Sequence, residues 1–159
     1  GKLVIQNESS ISHYKLDPEK AIDHFLFYYS AKWSPSCQKF TTQLKKFYVK
    51  AKTESKNFEI IFVSRDDSEK EMSEYMIKKK MPWLAIRFDQ LNKLGFVNDA
   101  GGRGVPCVSV LDSRGLILAH SYHNKSNYIG TKEPLEEFAK LIDFKWSDTD
   151  DNSQEAIKE

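Results

Sequence analysis

The chain has 159 residues, of which 40% are hydrophobic and 13% aromatic, and its 24 basic and 23 acidic side chains leave a formal net charge of +1. This length and composition are typical of a single globular domain, and the near-neutral charge gives no net field that would steer anions, so nucleic acid is not expected as a partner. No run of about 18 apolar residues and no charged-then-apolar N-terminal pattern occurs, so we expect neither a membrane span nor a secretory leader.

The first half of the chain alternates strand patterns with helix patterns. Residues 24–31 form a continuous aromatic and apolar run, which predicts a central strand that is covered on both faces. The predicted strands are residues 2–6, 24–31 and 58–64, and the predicted helices are residues 17–22, a long amphipathic helix from residue 35, and residues 67–80. This β-α-β-α order needs crossover connections, and it predicts parallel strands with helices on both faces.

The second half of the chain has weaker signals and then a hairpin. In chain order these are a short apolar segment (81–88), a short helical segment (89–96), a glycine-rich break (101–104) and two strand-like runs (105–112 and 116–122). The short turn between the two runs predicts an antiparallel hairpin. A last helix is predicted to begin at Pro134. We expect the domain to cover residues 1–145, followed by a disordered acidic and polar tail at residues 146–159.

The stretch from Trp33 to Cys37 reads Trp-Ser-Pro-Ser-Cys and lies where the central strand should end and the long helix begin. A sulfur at a helix N-terminus is readily a thiolate, because exposed N–H groups and the helix dipole stabilise its negative charge. Ser34, three residues before Cys37, presents a hydroxyl. A hydroxyl needs an adjacent general base to act as a nucleophile, and no histidine or acid lies within this motif. We therefore expect Ser34 to act as a helix cap.

Four blocks of the sequence resemble the thioredoxin fold and, within it, the tryparedoxin and nucleoredoxin branch. The blocks are FYYSAKWSPSCQKFTTQLKKFY, FEIIFVSRDDSEKEM, MPWLAIRF and VPCVSVLDSRG, and in order they span roughly residues 24–142. The resemblance implies an α/β domain with a central mixed β-sheet flanked by helices on both faces. It also implies a protein thiol-disulfide oxidoreductase that needs no cofactor, acts on protein or small dithiol and disulfide partners, and is a monomer. Because only two cysteines are present, a reducing compartment is expected, cytoplasmic or nuclear.

In that family the motif is Trp-Cys-Pro-Pro-Cys, in which the first cysteine attacks a disulfide and the second resolves the mixed disulfide. By resemblance Ser34 stands at the attacking position and Cys37 at the resolving position, so dithiol activity is expected to be lost. Tyr28 lies where many thioredoxins carry a buried acid. The resemblance implies a cis peptide bond before Pro106. It assigns the motif and the substrate groove to Trp33, Pro35, Ser36, Val105 and Pro106.

The two cysteines leave several roles open. Cys37 is either a buried thiol that acts as a small hydrophobe or a monothiol that forms mixed disulfides. Cys107 follows Pro106 and is a candidate second redox thiol or the partner of Cys37 in a bridge. Strand alternation should point Cys107 away from Pro106, however, and a bridge needs Cα atoms within about 7 Å. His120 and His123 do not have the spacing of a metal cluster, so no metal is expected.

Three functions fit these residues. The first is a tryparedoxin-like reductase in which Ser34 replaces the attacking cysteine, either natively or by engineering. The second is a non-catalytic module that binds an extended protein segment in the groove around Trp33 and Pro106. The third is a redox sensor that uses Cys37 or Cys107.

Overall fold

A mixed β-sheet of seven strands lies at the centre of the computed structural model, which describes residues 1–147. In chain order the strands are β1 (Leu3–Asn7), β2 (Ser10–Tyr14), β3 (His24–Ser30), β4 (Glu59–Ser64), β5 (Leu84–Ile86), β6 (Cys107–Asp112) and β7 (Ile117–His120). Their order across the sheet is β2-β1-β5-β4-β3-β6-β7, with β3 parallel to β4 and antiparallel to β6. Two further strands, β8 (Tyr122–His123) and β9 (Asn127–Tyr128), form a separate hairpin.

Helices cover both faces of the sheet, but unequally. They are α1 (Pro35–Thr53), α2 (Glu69–Lys78), α3 (Gly95–Asp99) and α4 (Lys132–Leu141), with a 3-10 helix at Phe88–Gln90. Successive side chains of a strand point to opposite faces. On β3, Leu26 and Tyr28 join the apolar cluster that contains residues of α1, α2 and α4, whereas Phe27 and Tyr29 join the cluster that contains residues of α3. The expected architecture, a central mixed sheet with helices on both faces, is confirmed.

Three features of the sequence favour a helix that begins at Pro35: the cap residue, the proline in the first turn and the spacing of the apolar residues. Ser34 has extended backbone and accepts a hydrogen bond from the N–H of Cys37, and Pro35 occupies the first turn. The buried side chains recur at helical spacing, so one stripe of the helix faces the sheet. They are Cys37, Phe40, Thr41, Leu44, Phe47 and Ala51. Burying a phenylalanine such as Phe47 contributes about 1.5–3 kcal/mol relative to exposure, so this stripe holds α1 on the sheet.

The helix predicted at residues 17–22 is wrong. The N–H of Lys20 bonds to the carbonyl of Asp17 at 3.1 Å, and the Asp17 side chain accepts the N–H of Glu19 at 2.9 Å. These bonds close an isolated turn, and no helix follows them. The reason is that an aspartate before a proline can start either a helix or a turn, and this segment has no apolar stripe to bury.

Other boundaries also differ from the predictions. The helical segment expected at residues 89–96 is divided between the 3-10 helix and α3, and α4 begins before Pro134, because proline fits anywhere in the first turn of a helix. The hairpin of β6 and β7 is antiparallel as predicted, but β7 ends at His120. The strands β2 and β9 lie outside the predicted elements, and β8 overlaps the predicted run 116–122 only at Tyr122. Most side chains of β2 are exposed, so it lacks the alternation that marks a half-buried strand.

The ring of Trp146 packs against the larger apolar cluster, and the domain boundary at residue 145 stays a prediction. The ring of Trp146 lies 5.3 Å from that of Phe47 and 6.3 Å from that of Phe144, measured between ring centroids. The rest of the predicted tail, from residue 148 onward, lies outside the described residues. Within residues 1–147, no helix has the length and apolar character needed to cross a membrane.

Candidate functional site

The motif lies at the carboxyl end of β3, where the chain turns into α1. The N–H of Ser34 bonds to the carbonyl of Ala31 at 3.2 Å, and the Ser34 hydroxyl accepts the N–H of Cys37 at 3.2 Å. The side chain of Ser34 is buried. Its amide and its hydroxyl oxygen are therefore both used to start the helix, which is the geometry of an N-cap.

Cys37 carries the thiol of the motif. It is fully buried and forms no disulfide. Its carbonyl oxygen accepts hydrogen bonds from the hydroxyls of Thr41 at 2.8 Å and Tyr28 at 3.1 Å. A disulfide must reach the sulfur to react with it, so burial restricts exchange at Cys37 in this conformation.

Four buried hydroxyl groups meet beneath Cys37, and we call them the hydroxyl cluster: Tyr28, Ser30, Thr41 and Tyr75. The Tyr75 oxygen lies 2.7 Å from the Ser30 oxygen and 2.7 Å from the Thr41 oxygen. The Tyr28 oxygen lies 2.8 Å from Thr41 and 3.0 Å from Ser30. Burial raises the pKa of Tyr28 well above its usual value, so its hydroxyl stays neutral. The cluster therefore offers Cys37 hydrogen-bond donors but no carboxylate that could take its proton.

Side chains from neighbouring elements hold the loop between β3 and α1. The Asp66 carboxylate accepts the N–H of Lys32 at 2.7 Å and the hydroxyl of Ser64 at 2.9 Å. The side-chain amide of Gln38 donates to the carbonyl of Lys32 at 2.7 Å. Burial raises the pKa of Asp66, although hydrogen bonds to both of its oxygens oppose the shift. Asp66 is a site residue that the sequence did not identify, and the only local signal was its place after a predicted strand.

Trp33 is the exposed aromatic residue of the motif. It is 60% exposed, and its Nε1–H donates to the carbonyl of Arg65 at 3.4 Å. A tryptophan ring that is anchored through its nitrogen and otherwise exposed offers a flat apolar surface to a partner. Pro35 is also exposed, at the first position of α1.

A groove of about 330 Å³ opens beside the motif, between α1 and the loop that precedes β6. The Val105–Pro106 peptide bond in this loop is cis. The groove brings together three residues that the sequence assigned to the site, Ser36, Val105 and Pro106. Trp33 and Pro35 lie outside its lining. The other lining residues, which the sequence did not identify, are Lys39, Phe40, Gln43, Tyr128, Gly130 and Thr131.

Cys107 lies apart from Cys37. It belongs to the apolar cluster on the α3 face of the sheet, whereas α1 packs on the opposite face, and both thiols are free. The bridge between them is not formed, because the alternation along β6 turns Cys107 away from α1. Burial raises the pKa of Cys107 to about 11. The thiol is therefore protonated at neutral pH and is a poor nucleophile.

His120 supports the backbone near the groove. Its Nδ1 accepts the N–H of Tyr122 at 2.9 Å, and its Nε2 lies 2.8 Å from the carbonyl of Ala100. These two contacts require a neutral ring with its proton on Nε2. His123 is exposed. In the part of the chain that the structure describes, no three His, Cys, Asp or Glu side chains are grouped to hold a metal ion.

The arrangement can bind a partner but lacks a second thiol next to Cys37. One sulfur can exchange with a disulfide, yet it cannot release its own mixed disulfide without a second thiol. The open groove and the exposed ring of Trp33 do not depend on that second thiol.

Comparisons with known proteins agree with one another. The family model described as thioredoxin-like matches residues 23–117. Nucleoredoxin from Homo sapiens is 34% identical over 119 residues, which are 74% of this chain and 26% of that protein. Tryparedoxin from Trypanosoma brucei brucei is 46% identical over 63 residues, 40% of this chain and 42% of that protein. The structure of tryparedoxin I from Leishmania major matches with a TM-score of 0.64 and 28% identity over 92% of each chain. The chain thus spans about a quarter of the human relative and less than half of the trypanosomal one.

Proposed function

The chain belongs to the thioredoxin-like family, with nucleoredoxin and tryparedoxin relatives, and from this membership we propose a thiol-disulfide oxidoreductase domain in which Ser34 replaces the attacking cysteine. In this proposal the domain keeps the fold and the partner groove of a reductase. It does not complete a dithiol cycle and is inactive, or reacts only through Cys37 as a monothiol.

The observation that carries the proposal is the 3.2 Å hydrogen bond from the N–H of Cys37 to the Ser34 hydroxyl. It puts oxygen at the helix N-terminus, where the same N–H groups would stabilise a thiolate. A serine hydroxyl keeps its proton unless a base accepts it. Within residues 1–147, no imidazole or carboxylate is hydrogen-bonded to Ser34. Attack on a partner disulfide therefore lacks its first nucleophile.

The groove gives a partner a place to bind. The backbone of Val105 lies beside Pro106 and Ser36 in the groove wall, and Trp33 adds an exposed ring near the motif. An extended backbone can pair with such a segment as an added strand does. Protein segments, or small dithiols and disulfides, are the proposed partners of a monomeric domain in a cytoplasmic or nuclear setting. Two free cysteines support a reducing environment.

A non-catalytic binding module is the second candidate, and the observation that favours it is the groove itself, which is open although the motif has one thiol. A redox sensor is less well supported, because Cys37 and Cys107 are both fully buried. A rapid sensor needs a thiol that oxidants can reach.

The proposal is tested by the substitution Ser34→Cys, which puts a thiol at the attacking position of the motif. Multiple-turnover reduction of insulin disulfides, with dithiothreitol as donor, is measured for the parent, for Ser34→Cys and for Ser12→Cys. Ser12 is exposed on β2, so this control adds a thiol away from the site. Ser34→Cys should exceed the parent by at least about 100-fold, because only it has two thiols in the motif, and Ser12→Cys should match the parent.

Two results would change the conclusion. Turnover by the parent at the rate of Ser34→Cys would overturn the role given to Ser34. A folded Ser34→Cys chain without turnover would favour the binding module.

A further inference from the structure

Arg65 is a half-buried cation next to the motif. It directly follows β4, and the motif closely follows β3. Because these two strands are parallel, both segments lie at the same edge of the sheet, which is where open α/β sheets bind their ligands. The Nε1–H of Trp33 donates to the carbonyl of Arg65 at 3.4 Å, so the backbone of Arg65 contacts the exposed ring of the motif.

Neutral groups hold the guanidinium of Arg65. Its Cζ lies 4.9 Å from the centroid of the Tyr29 ring, and its Nη1–H donates to Oδ1 of Asn98 at 3.1 Å. Asn98 is held in turn, because its Nδ2–H donates to the carbonyl of Leu91 at 2.7 Å. On a third side lies Gly101, where a Cβ would come within 3.0 Å of Nη2. Contacts on three sides therefore orient the guanidinium before any partner binds.

The charge of Arg65 has no counter-ion within residues 1–147. None of the described carboxylates forms an ion pair with its guanidinium, and the carboxylate of the adjacent Asp66 is bonded to other groups. Burial raises the pKa of Tyr29, and it raises the pKa of Cys107 to about 11, so these two titratable neighbours carry no charge at neutral pH. A guanidinium has five N–H donors, and one of them bonds to a side chain here, so others remain for a ligand.

We propose that Arg65 is a specificity-determining residue that binds a carboxylate of the disulfide partner beside Trp33. The inference rests on the proposed function of the site. A guanidinium presents paired N–H donors that match the two oxygens of a carboxylate, and hydrogen bonds between charged groups are stronger than those between neutral groups. A disulfide that has a carboxylate should therefore depend on Arg65, whereas the same disulfide with this group masked as an ester should not.

The kinetic test uses Ser34→Cys as the active background and needs no electron donor. The reduced chain is mixed with a disulfide, its two motif thiols become a disulfide, and the substrate is reduced to two thiols. The substrates are glutathione disulfide, its ester in which every carboxylate is masked, and hydroxyethyl disulfide, which has no carboxylate. Arg65→Gln should lower the second-order rate constant for glutathione disulfide about tenfold, as loss of one charge-assisted pair of hydrogen bonds predicts, and should leave the other two within about twofold.

Two further variants in the same background separate the charge of Arg65 from its shape. Arg65→Lys keeps the charge but not the paired donors, so its rate constant for glutathione disulfide should lie between that of the background and that of Arg65→Gln. Arg114→Gln removes the same charge from the exposed turn between β6 and β7, and this matched control should behave like the background. The melting temperature of each variant shows whether the chain is folded.

Asn98→Asp supplies the missing counter-ion from within the chain. Aspartate has nearly the shape of asparagine, and at this position it would place a carboxylate on the guanidinium of Arg65. The rate constant for glutathione disulfide should therefore fall about as far as in Arg65→Gln, although Arg65 is still present. A folded Asn98→Asp chain that keeps the full rate would show that the role of Arg65 is merely structural, and this would overturn the inference.

Binding in the parent chain tests Arg65 without a reaction at the motif. Glutathione disulfide should shift the NMR signals of the Asn98 side-chain amide and the Gly101 backbone amide, its ester should shift them much less, and Arg65→Gln should abolish the shifts. Rate constants and NMR signals that do not respond to Arg65→Gln, or equal losses of rate with all three disulfides, would overturn the inference. If Ser34→Cys reacts with none of the three disulfides, the proposed function fails. If it reacts and Arg65→Gln behaves like Arg114→Gln, only this inference fails.

Discussion

Cys107 is a thiol whose surroundings keep it protonated. Burial raises its pKa to about 11, from an ordinary value of 9.0. Below pH 9 the folded and unfolded chains both hold the proton, so this thiol does not change stability with pH. Between about pH 9 and about pH 11 the unfolded chain releases the proton first, and the free energy of unfolding should fall by about 2–3 kcal/mol.

Cys107→Ala isolates this effect because it removes the titrating group. Urea unfolding of both chains, followed from about pH 8 to about pH 11, should show a steeper loss of stability for the parent. Parallel curves would mean that burial does not shift the pKa of Cys107.

Tyr28→Phe removes one member of the hydroxyl cluster and keeps the ring. The lost hydrogen bonds to the carbonyl of Cys37 and to Thr41 should lower the free energy of unfolding by about 1–2 kcal/mol. Tyr14→Phe, at an exposed tyrosine, should stay within about 0.5 kcal/mol of the parent. Urea denaturation measures both, and equal stability of the two variants would show that the cluster contributes no net stability.

Site residues that belong to a local sequence pattern could be predicted from the sequence. The cap and the thiol of the motif follow from helix-start signals and from the family resemblance. Asp66 and Tyr128 reach the site from other elements, through bonds to the backbone of Lys32 and Pro106. These contacts depend on tertiary placement, which no local spacing encodes.

Helix α1 has a cap that can be removed without changing its apolar stripe. Ser34→Ala deletes the acceptor of the Cys37 N–H and should lower the free energy of unfolding by about 1 kcal/mol. Ser36→Ala, an exposed position in the same turn, is the control and should stay within about 0.5 kcal/mol. Denaturant titration compares them, and equal losses would contradict the capping role.

Elements with an apolar stripe or a buried run were predictable, and small polar ones were not. Helix α1 has an apolar stripe at helical spacing, and β3 is a continuous, aromatic-rich apolar run of strand length. The turn after Asp17 and the strand β2 have little to bury, so no periodic apolar pattern marks them, although the contacts that form them are local. The same holds for β8 and β9, two residues each.

The larger apolar cluster joins three helices to the sheet and extends beyond α4. Phe144 is buried, and its ring centroid lies 5.0 Å from that of Phe47. Phe144→Ala should therefore lower the free energy of unfolding by about 3–5 kcal/mol, whereas Val49→Ala, at an exposed position of α1, should change it little. Thermal unfolding measures both. A small loss for Phe144→Ala would place the end of the core before residue 144.

The alternation of strands and helices predicted the architecture but not the unequal cover of its two faces. The α3 face is covered by α3, which has five residues, and by the 3-10 helix. Phe96 remains 56% exposed there, beside an apolar groove of about 400 Å³. How far a helix extends over a sheet depends on connections that hydrophobic periodicity does not describe.

The placement of the two sulfurs on opposite sides of the sheet has a consequence for how the domain responds to its environment. Neither sulfur has a second sulfur near it. Oxidation therefore cannot form a disulfide within the domain, and reduction cannot break one. Because no internal disulfide can form, the fold of this domain should be the same in oxidising and in reducing buffers.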